Sequence, residues 1–517
     1  MDIVEVPARR SDIKQGRSGT TSVLTDPVMC MTYAINPMIK AIWNILDRPR
    51  TVLELAHITG TEAAEIEVAV TFLLQRALLK TPHATYNEIA SRDILRSLQE
   101  VSLSDVGLTY TPGLKHACQA CGSCCSATDV GPVRHSVADD IRSANWSHIP
   151  ALATGMDPFR KVSTNGPDGK PLLLLETVDD KCVFLSSGGA CEVHAALGGT
   201  RKPTPCRQFP YVFTHTDVGI RVSLQMECRA YDRAKAAAPE TSSQSTMLRE
   251  LLQSGAPIHQ LPTPLRAATG LLWGHHDYVR FESELIQSLR RACTKGMPTS
   301  QPFNVLVQTT RKAIQTLYKR AGMDASVPWY VENQDLPSLA GVSPYINIQM
   351  ITDELTTFCF HAQSVAKTRR LPHLAQRFNT LGRALDFANE DVFDIRWDDP
   401  DAARSILTDL FVSGIANREV IRHCRDVRIG VAWLVLRSWL ALAMAKMRAK
   451  EVCRVSCRTT DLIDSMVIVC KMLRERAVLE VIDGMKSRVT LAFLTNLEAL
   501  TSDTAPQVID RGPGGNR

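Results

Sequence analysis

The sequence predicts a mostly α, multidomain protein with a small α+β cysteine-cluster domain set between helical units. Three observations predict it. The chain has 517 residues, and single hydrophobic cores stop growing beyond roughly 250–300 residues. Apolar residues recur at intervals of three and four through most of both flanks, which is the helical period. Between the flanks the pattern changes to short β-favouring runs, and eight of the fifteen cysteines fall there, from Cys118 to Cys228.

Residues 1–26 are polar, with Gly, Ser, Arg and Lys, and read as a disordered tail. Residues 27–110 read as a winged-helix-like unit. NPMIKAIWNIL gives its first helix, stopped before Pro49. TVLELAHITG gives the second, where Thr51 and Glu54 have capping-box spacing and Gly60 suits the C-terminal stop. The third runs from Thr61 through EAAEIEVAVTFLLQRALL, and LLKTPHATY suggests a short hairpin after it. Units of this kind often place the third helix in the major groove of DNA. Here Glu62, Glu65 and Glu67 stand near its start against one arginine, Arg76. They repel phosphate, so no DNA partner is expected. RTVLELAHITG and the spacing of the third helix resemble the PqqD-like peptide-recognition domains, which implies a peptide- or protein-binding role.

Residues 111–240 form the expected cysteine-cluster metal-binding domain. LLLLET, KCVFL, YVFTH and IRVSLQM read as short strands, and the SSGG turn between Cys182 and Cys191 suggests a hairpin. The core motif is Cys118-Gln-Ala-Cys121-Gly-Ser-Cys124-Cys125, followed by Cys182, Cys191, Cys206 and Cys228. A two-residue gap lets one turning loop aim successive sulfurs at one centre, and Gly122 and Ser123 are small enough for the backbone to wrap closely. Thiolates are soft ligands that suit zinc or iron–sulfur centres. Cys118, Cys121 and Cys124 repeat the spacing of the first three ligands of bacterial ferredoxins, where a remote cysteine supplies the fourth. A 4Fe-4S cluster is therefore favoured, with zinc as the alternative, since eight thiols also suffice for two four-thiolate zinc sites.

The string CQACGSCC, then KCVFL-SSGG-ACEVH, then KPTPCRQFP, then MEC resembles the CxxCxxCC cysteine-cluster (YkgJ-type) family of zinc- or iron-chelating proteins. The resemblance covers about 115 residues near 115–230. It implies that the metal ligands are drawn from Cys118, Cys121, Cys124, Cys125, Cys182, Cys191, Cys206 and Cys228. The family includes the flagellin lysine-N-methylases, so the resemblance also implies a rival reading as a protein lysine N-methyltransferase with flagellin as substrate. A third reading is a peptide- or protein-binding adaptor with a structural metal. Arg207 follows Cys206 directly, and Lys181, Arg201 and Lys202 lie close to other cysteines. They are candidates to offset thiolate charge or to donate hydrogen bonds to sulfur. His116 and His194 are candidate alternative ligands.

From residue 241 to 505 the pattern is helical, as in DYVRFESELIQSLRRA, FNVLVQTTRKAIQTLYKR and IQMITDELTTFCFHA. Gly430–Met447 is apolar enough to suggest a membrane span, but Arg437 sits in its middle and the run is barely long enough. It reads as a buried helix, and no membrane partner is expected. Cys453 and Cys457, four apart, read as one helical face of buried reduced cysteines. Residues 506–517 read as a second disordered tail.

Composition narrows the function. The net charge of +5, from 59 basic and 54 acidic residues, is too small for this length to signal nucleic acid or membrane. The first twenty residues lack an apolar leader run, and clustered cysteines in a reducing compartment bind metal more often than they pair. A cytoplasmic location is expected. No strand runs into a glycine-rich dinucleotide-type turn, so the common methyl-donor cradle is not visible. The spacing C-x-x-x-C-x-x-C of radical donor-cleaving enzymes is also absent from CQACGSCC.

Overall fold

The polar N-terminal stretch folds into strands rather than a tail. This is seen in a computed structural model, which describes residues 5–99, 107–116, 118–126, 130–165, 169–179, 181–216, 218–229, 239–268, 270–323, 348–368, 372–386, 395–422 and 426–473. Lys14–Ser18, Thr21–Asp26 and Met31–Ile35 form an antiparallel meander. Lys14–Ser18 keeps every side chain exposed and is held through its backbone. Polar composition alone therefore misled the reading of 1–26. Arg10 fixes the meander to the helices behind it. It donates to the buried Asp26 carboxylate at 2.8 Å and to the Ala77 carbonyl at 2.8 Å.

Three helices follow, Pro37–Ile45, Val52–Thr59 and Ala63–Gln75. Thr51 and Glu54 make the capping box, and Gly60 closes the second helix in the left-handed region. Their core is Leu24, Ile42, Trp43, Leu55, Ile66 and Leu73. The strands that accompany these helices come from before them. After Ala63–Gln75 no hairpin forms: Leu79 bridges back to Arg9, and the chain enters helix Pro82–Gln99 with proline in its first turn.

Helix Pro82–Gln99 ties this unit to the rest. The buried Asn87 amide donates to the Gly270 carbonyl at 2.6 Å and accepts from the Leu272 N–H at 2.9 Å.

Helices take up 55% of the described structure, and most of the rest is small sheets. The largest sheet has four strands in the order Ile258–His259, Tyr211–Thr216, Gly219–Leu224, Leu108–Tyr110. Its central pair is antiparallel and both edges are parallel. It packs on helix Pro400–Ala416: Thr214 and Arg221 donate to the Ala416 carbonyl at 3.2 and 2.9 Å, and Asn417 donates to the Leu224 carbonyl at 3.0 Å. Helix Val427–Glu451 is apolar on all sides and 94% buried over its most apolar stretch, although its length and composition alone would let it cross a membrane. Its Arg437 is neutralised by Glu419 at 2.7 Å.

The packing divides the 111–240 segment. Residues 130–206 enclose a core of their own, built from Ile141, Trp146, Phe159, Leu173, Leu175, Phe184 and Val193. Tyr211, Phe213, Val222, Leu224 and Cys228 belong instead to the large helical core. The chain leaves the small lobe at Phe209-Pro210 and becomes a sheet of the larger body.

Candidate metal centre

The cysteine loop is shaped by a close approach of two backbones. Gly122 adopts φ +68 and starts the short 3-10 turn Ser123–Cys125. The SSGG segment forms a tight turn, in which the Gly189 N–H donates to the Ser186 carbonyl at 3.0 Å and the Ser186 N–H to the Ala190 carbonyl at 2.9 Å. Gly189 has φ +84, and a Cβ there would lie 2.9 Å from the Ala120 carbonyl oxygen. A Cβ on Gly122 would lie 2.9 Å from Leu185. Both glycines are therefore steric requirements, because the loop of Cys121 rests directly on the turn between Cys182 and Cys191.

Five thiols converge beside this contact. Ser126 bridges Lys181, which brings the end of the loop to Cys182 in the short strand Lys181–Cys182. Cys191 bridges Leu185 and caps helix Glu192–Leu197. Cys206 lies in helix Thr204–Gln208. Cys125, Cys182, Cys191 and Cys206 all pack on the small lobe's apolar core. The Cys124 and Cys125 sulfurs are 3.7 Å apart, far beyond a disulfide bond.

The electrostatics follow from that crowding. The hydrogen bond shared by the Cys124 and Cys125 thiols holds Cys124 down to about 6, helped by Lys471 and Lys202 and opposed by burial. Cys125 is pushed up, first by that same hydrogen bond, then by burial and the neighbouring thiols of Cys124, Cys182 and Cys206. Burial raises Cys182 to about 11, with Cys191 and Cys124 adding to the effect. Burial also raises Cys206, and Cys182, Cys191 and Cys124 reinforce it. Burial and the neighbouring thiols oppose ionisation of Cys125, Cys182 and Cys206 together, and a cation among the sulfurs would favour it.

The remaining predicted ligands stand differently. Tyr211 lies within electrostatic reach of both Cys118 and Cys228. Cys228 is buried, and its sulfur is 3.7 Å from Nε2 of His116. His116 is also buried, its Nδ1 has no hydrogen-bond partner among the described residues, and burial lowers its pKa to about 4. Cys121 is exposed, as is His194. Cys118 is placed with Tyr211 and Cys228, while Cys124 is placed with Cys125, Cys182 and Cys206.

Two lysines serve the five-thiol group. Lys202 acts on Cys124, Cys182 and Cys206. Lys471, from helix Thr459–Met472, donates to the carbonyls of Ser123 and Ser126 at 2.5 and 3.0 Å. Sequence reasoning missed Lys471, because 348 residues separate it from Ser123. Arg201 is instead paired with Asp140.

Cys453 and Cys457 are corrected. They lie in the connection after helix Val427–Glu451 rather than on a helical face. Cys453 is exposed, and the buried Cys457 thiol donates to the Ala445 carbonyl at 3.6 Å. Cys359 and Cys470 are buried in the helical core. Cys424 and residues 506–517 lie outside the described residues.

The donor set fits a thiophilic ion. Tetrahedral zinc with sulfur at about 2.3 Å gives sulfur–sulfur edges of about 3.8 Å, close to the 3.7 Å between Cys124 and Cys125. Among the described residues no three Cys, His, Asp or Glu side chains already stand at metal-gripping distance. Residues 117–237 match the sequence model of the CxxCxxCC family, described as "Putative zinc- or iron-chelating domain". The chain carries a domain of this cysteine-cluster family. No curated protein and no solved structure matches the chain.

Proposed function

We propose that this protein holds one thiolate-bound zinc or iron ion, with four ligands drawn from Cys124, Cys125, Cys182, Cys191 and Cys206. The observation that carries this reading is the convergence of those five thiols from four separate segments onto one small apolar core. A divalent cation would offset the burial and, secondarily, the mutual repulsion that keep Cys125, Cys182 and Cys206 protonated, so binding releases protons and stabilises the folded lobe. The 3.7 Å sulfur–sulfur edge supports a single ion over a four-iron cluster, whose sulfide core holds its cysteine ligands farther apart. Lys202 and Lys471 offset the net negative charge of a four-thiolate site. The ion's role on this reading is to join the loop, the turn and two short helices.

Elemental analysis of the full chain tests the reading. One zinc or iron per chain is expected in the wild type and in Cys359→Ser, where the replaced cysteine is buried in the helical core. Less than about a tenth of that is expected in the Cys182→Ser, Cys206→Ser double variant, which leaves only three of the five thiols. Full occupancy in the folded double variant would remove the five-thiol site.

A further inference from the structure

The cysteine-rich segment is gripped at both ends by one helix of the C-terminal body. At the start, Lys471 of helix Thr459–Met472 donates to the Ser123 and Ser126 carbonyls, which flank Cys124 and Cys125. At the end, Asp464 of the same helix takes a two-pronged ion pair from Arg229, the residue after Cys228, at 2.6 and 3.0 Å. Lys471 is itself largely shielded from solvent, which lowers its pKa, and its charge also acts on Cys124 and Cys125. An ammonium held by two carbonyls at hydrogen-bond distance fixes the path of the loop between them. Those carbonyls belong to the turn that aims Cys124 and Cys125 at the other thiols.

We propose that Lys471 is a positioning residue of the metal centre, so that the centre is completed by the C-terminal helix and not by the cysteine segment alone. This rests on the five-thiol reading given above. Lys471 contributes no ligand. It fixes the loop that presents Cys124 and Cys125, and its charge offsets the thiolates. Partners of this kind typically change metal affinity by about 10–100-fold when removed.

The test uses the full-length protein and cobalt(II) or zinc in competition with a chromophoric chelator. The wild type must first bind; if it does not, the five-thiol reading fails and the role of Lys471 falls with it. Given binding, Lys471→Met is expected to weaken affinity by about 10-fold or more. Its thiolate-to-cobalt charge-transfer absorption per bound cobalt should fall, because a displaced loop withdraws a sulfur. Lys471→Arg should restore both readouts at least in part, and the exposed Lys367→Met should leave them unchanged. Should Lys471→Met fail to fold, Lys471→Gln carries the test, since it keeps a donor for the carbonyls and removes the charge. A tight wild type together with folded Met and Gln variants of unchanged affinity and unchanged absorption per cobalt would overturn the proposal while leaving the five-thiol site intact.

Discussion

The small cysteine lobe and the C-terminal helical body solve the same problem by different means. The helical body buries long apolar faces. Phe303 and Phe411 meet edge to face with ring centres 4.8 Å apart, and helix Val427–Glu451 is enclosed on all sides. Each buried large side chain contributes about 1.5–3 kcal/mol, and that body needs no other device. The lobe from 130 to 206 has only short elements around Trp146, Phe159 and Phe184, with Cys182 in its core and Cys125, Cys191 and Cys206 packed against it. A lobe of that size gains little from burial alone. The difference teaches that the same residue type has two uses here. Cys359 and Cys470 are apolar filling within a finished core, while Cys125, Cys182, Cys191 and Cys206 lie on the small lobe's core, which on the proposal above a metal ion would complete.

Removing the metal should break the symmetry between the two regions most strongly. Apparent binding energies of structural zinc are roughly 10–16 kcal/mol in small domains, so chelation should speed proteolysis between 118 and 206 by at least about tenfold. Cleavage in 275–320 and 400–470 should stay unchanged, as read by mass spectrometry of the fragments. Equal loosening of both regions would show that they are not separate in stability.

Phe411→Ala probes the comparison from the other side. Phe411 is fully buried, so its truncation should cost about 3–5 kcal/mol in denaturant unfolding. Metal content of the folded variant should remain at the wild-type level. Loss of metal with Phe411→Ala would mean that the lobe borrows its order from the helical core.

Acid tests a buried group outside the lobe, His83 in helix Pro82–Gln99. His83 is 4% exposed, and burial holds its pKa down to about 4, partly countered by the Gly270 and Leu74 backbone. Its folded pKa is below its unfolded value of about 6.5. The stability associated with neutral His83 is therefore complete above pH ~6.5 and is lost as pH falls through 4. The loss is of order 3 kcal/mol. Urea unfolding of His83→Leu between pH 7 and 4 should show a flatter profile than the wild type, and identical slopes would contradict the assignment.

Gly189→Ala is a smaller perturbation confined to the lobe. The added Cβ meets the Ala120 oxygen at 2.9 Å, and φ is +84. A cost of about 2 kcal/mol is expected, with faster metal loss to a chelator and no shift in helical-core unfolding. Smallest of all, Cys453→Ala should change neither metal content nor stability, since Cys453 is exposed in a connection.

Much of the fold could be read from local pattern. Thr51, Glu54 and Gly60 marked one helix's two ends, because capping is decided within four residues. The enclosed helix was legible in Gly430–Met447, because an apolar run interrupted by a single arginine needs a partner such as Glu419. The strand Lys14–Ser18 was hidden, since an edge strand held by backbone bonds leaves no apolar alternation to see. The hairpin expected in LLKTPHATY did not form, because Pro82 suits the first turn of a helix better than a strand. Within the site, the eight cysteines could be counted from spacing, but the path of the loop that carries four of them could not, because it turns at Ala120 and Gly122, both at positive φ. Lys471 left no signal at all, because its contact with Ser123 exists only once the helical body has folded.

X-ray absorption at the metal edge of the purified full-length protein tests the central claim most directly. A single ion held by the converged thiols predicts one shell of about four sulfurs near 2.3 Å, with no metal–metal scattering, and loss of the signal in the Cys182→Ser, Cys206→Ser double variant. A metal–metal shell, or a first shell dominated by nitrogen and oxygen, would contradict the five-thiol account.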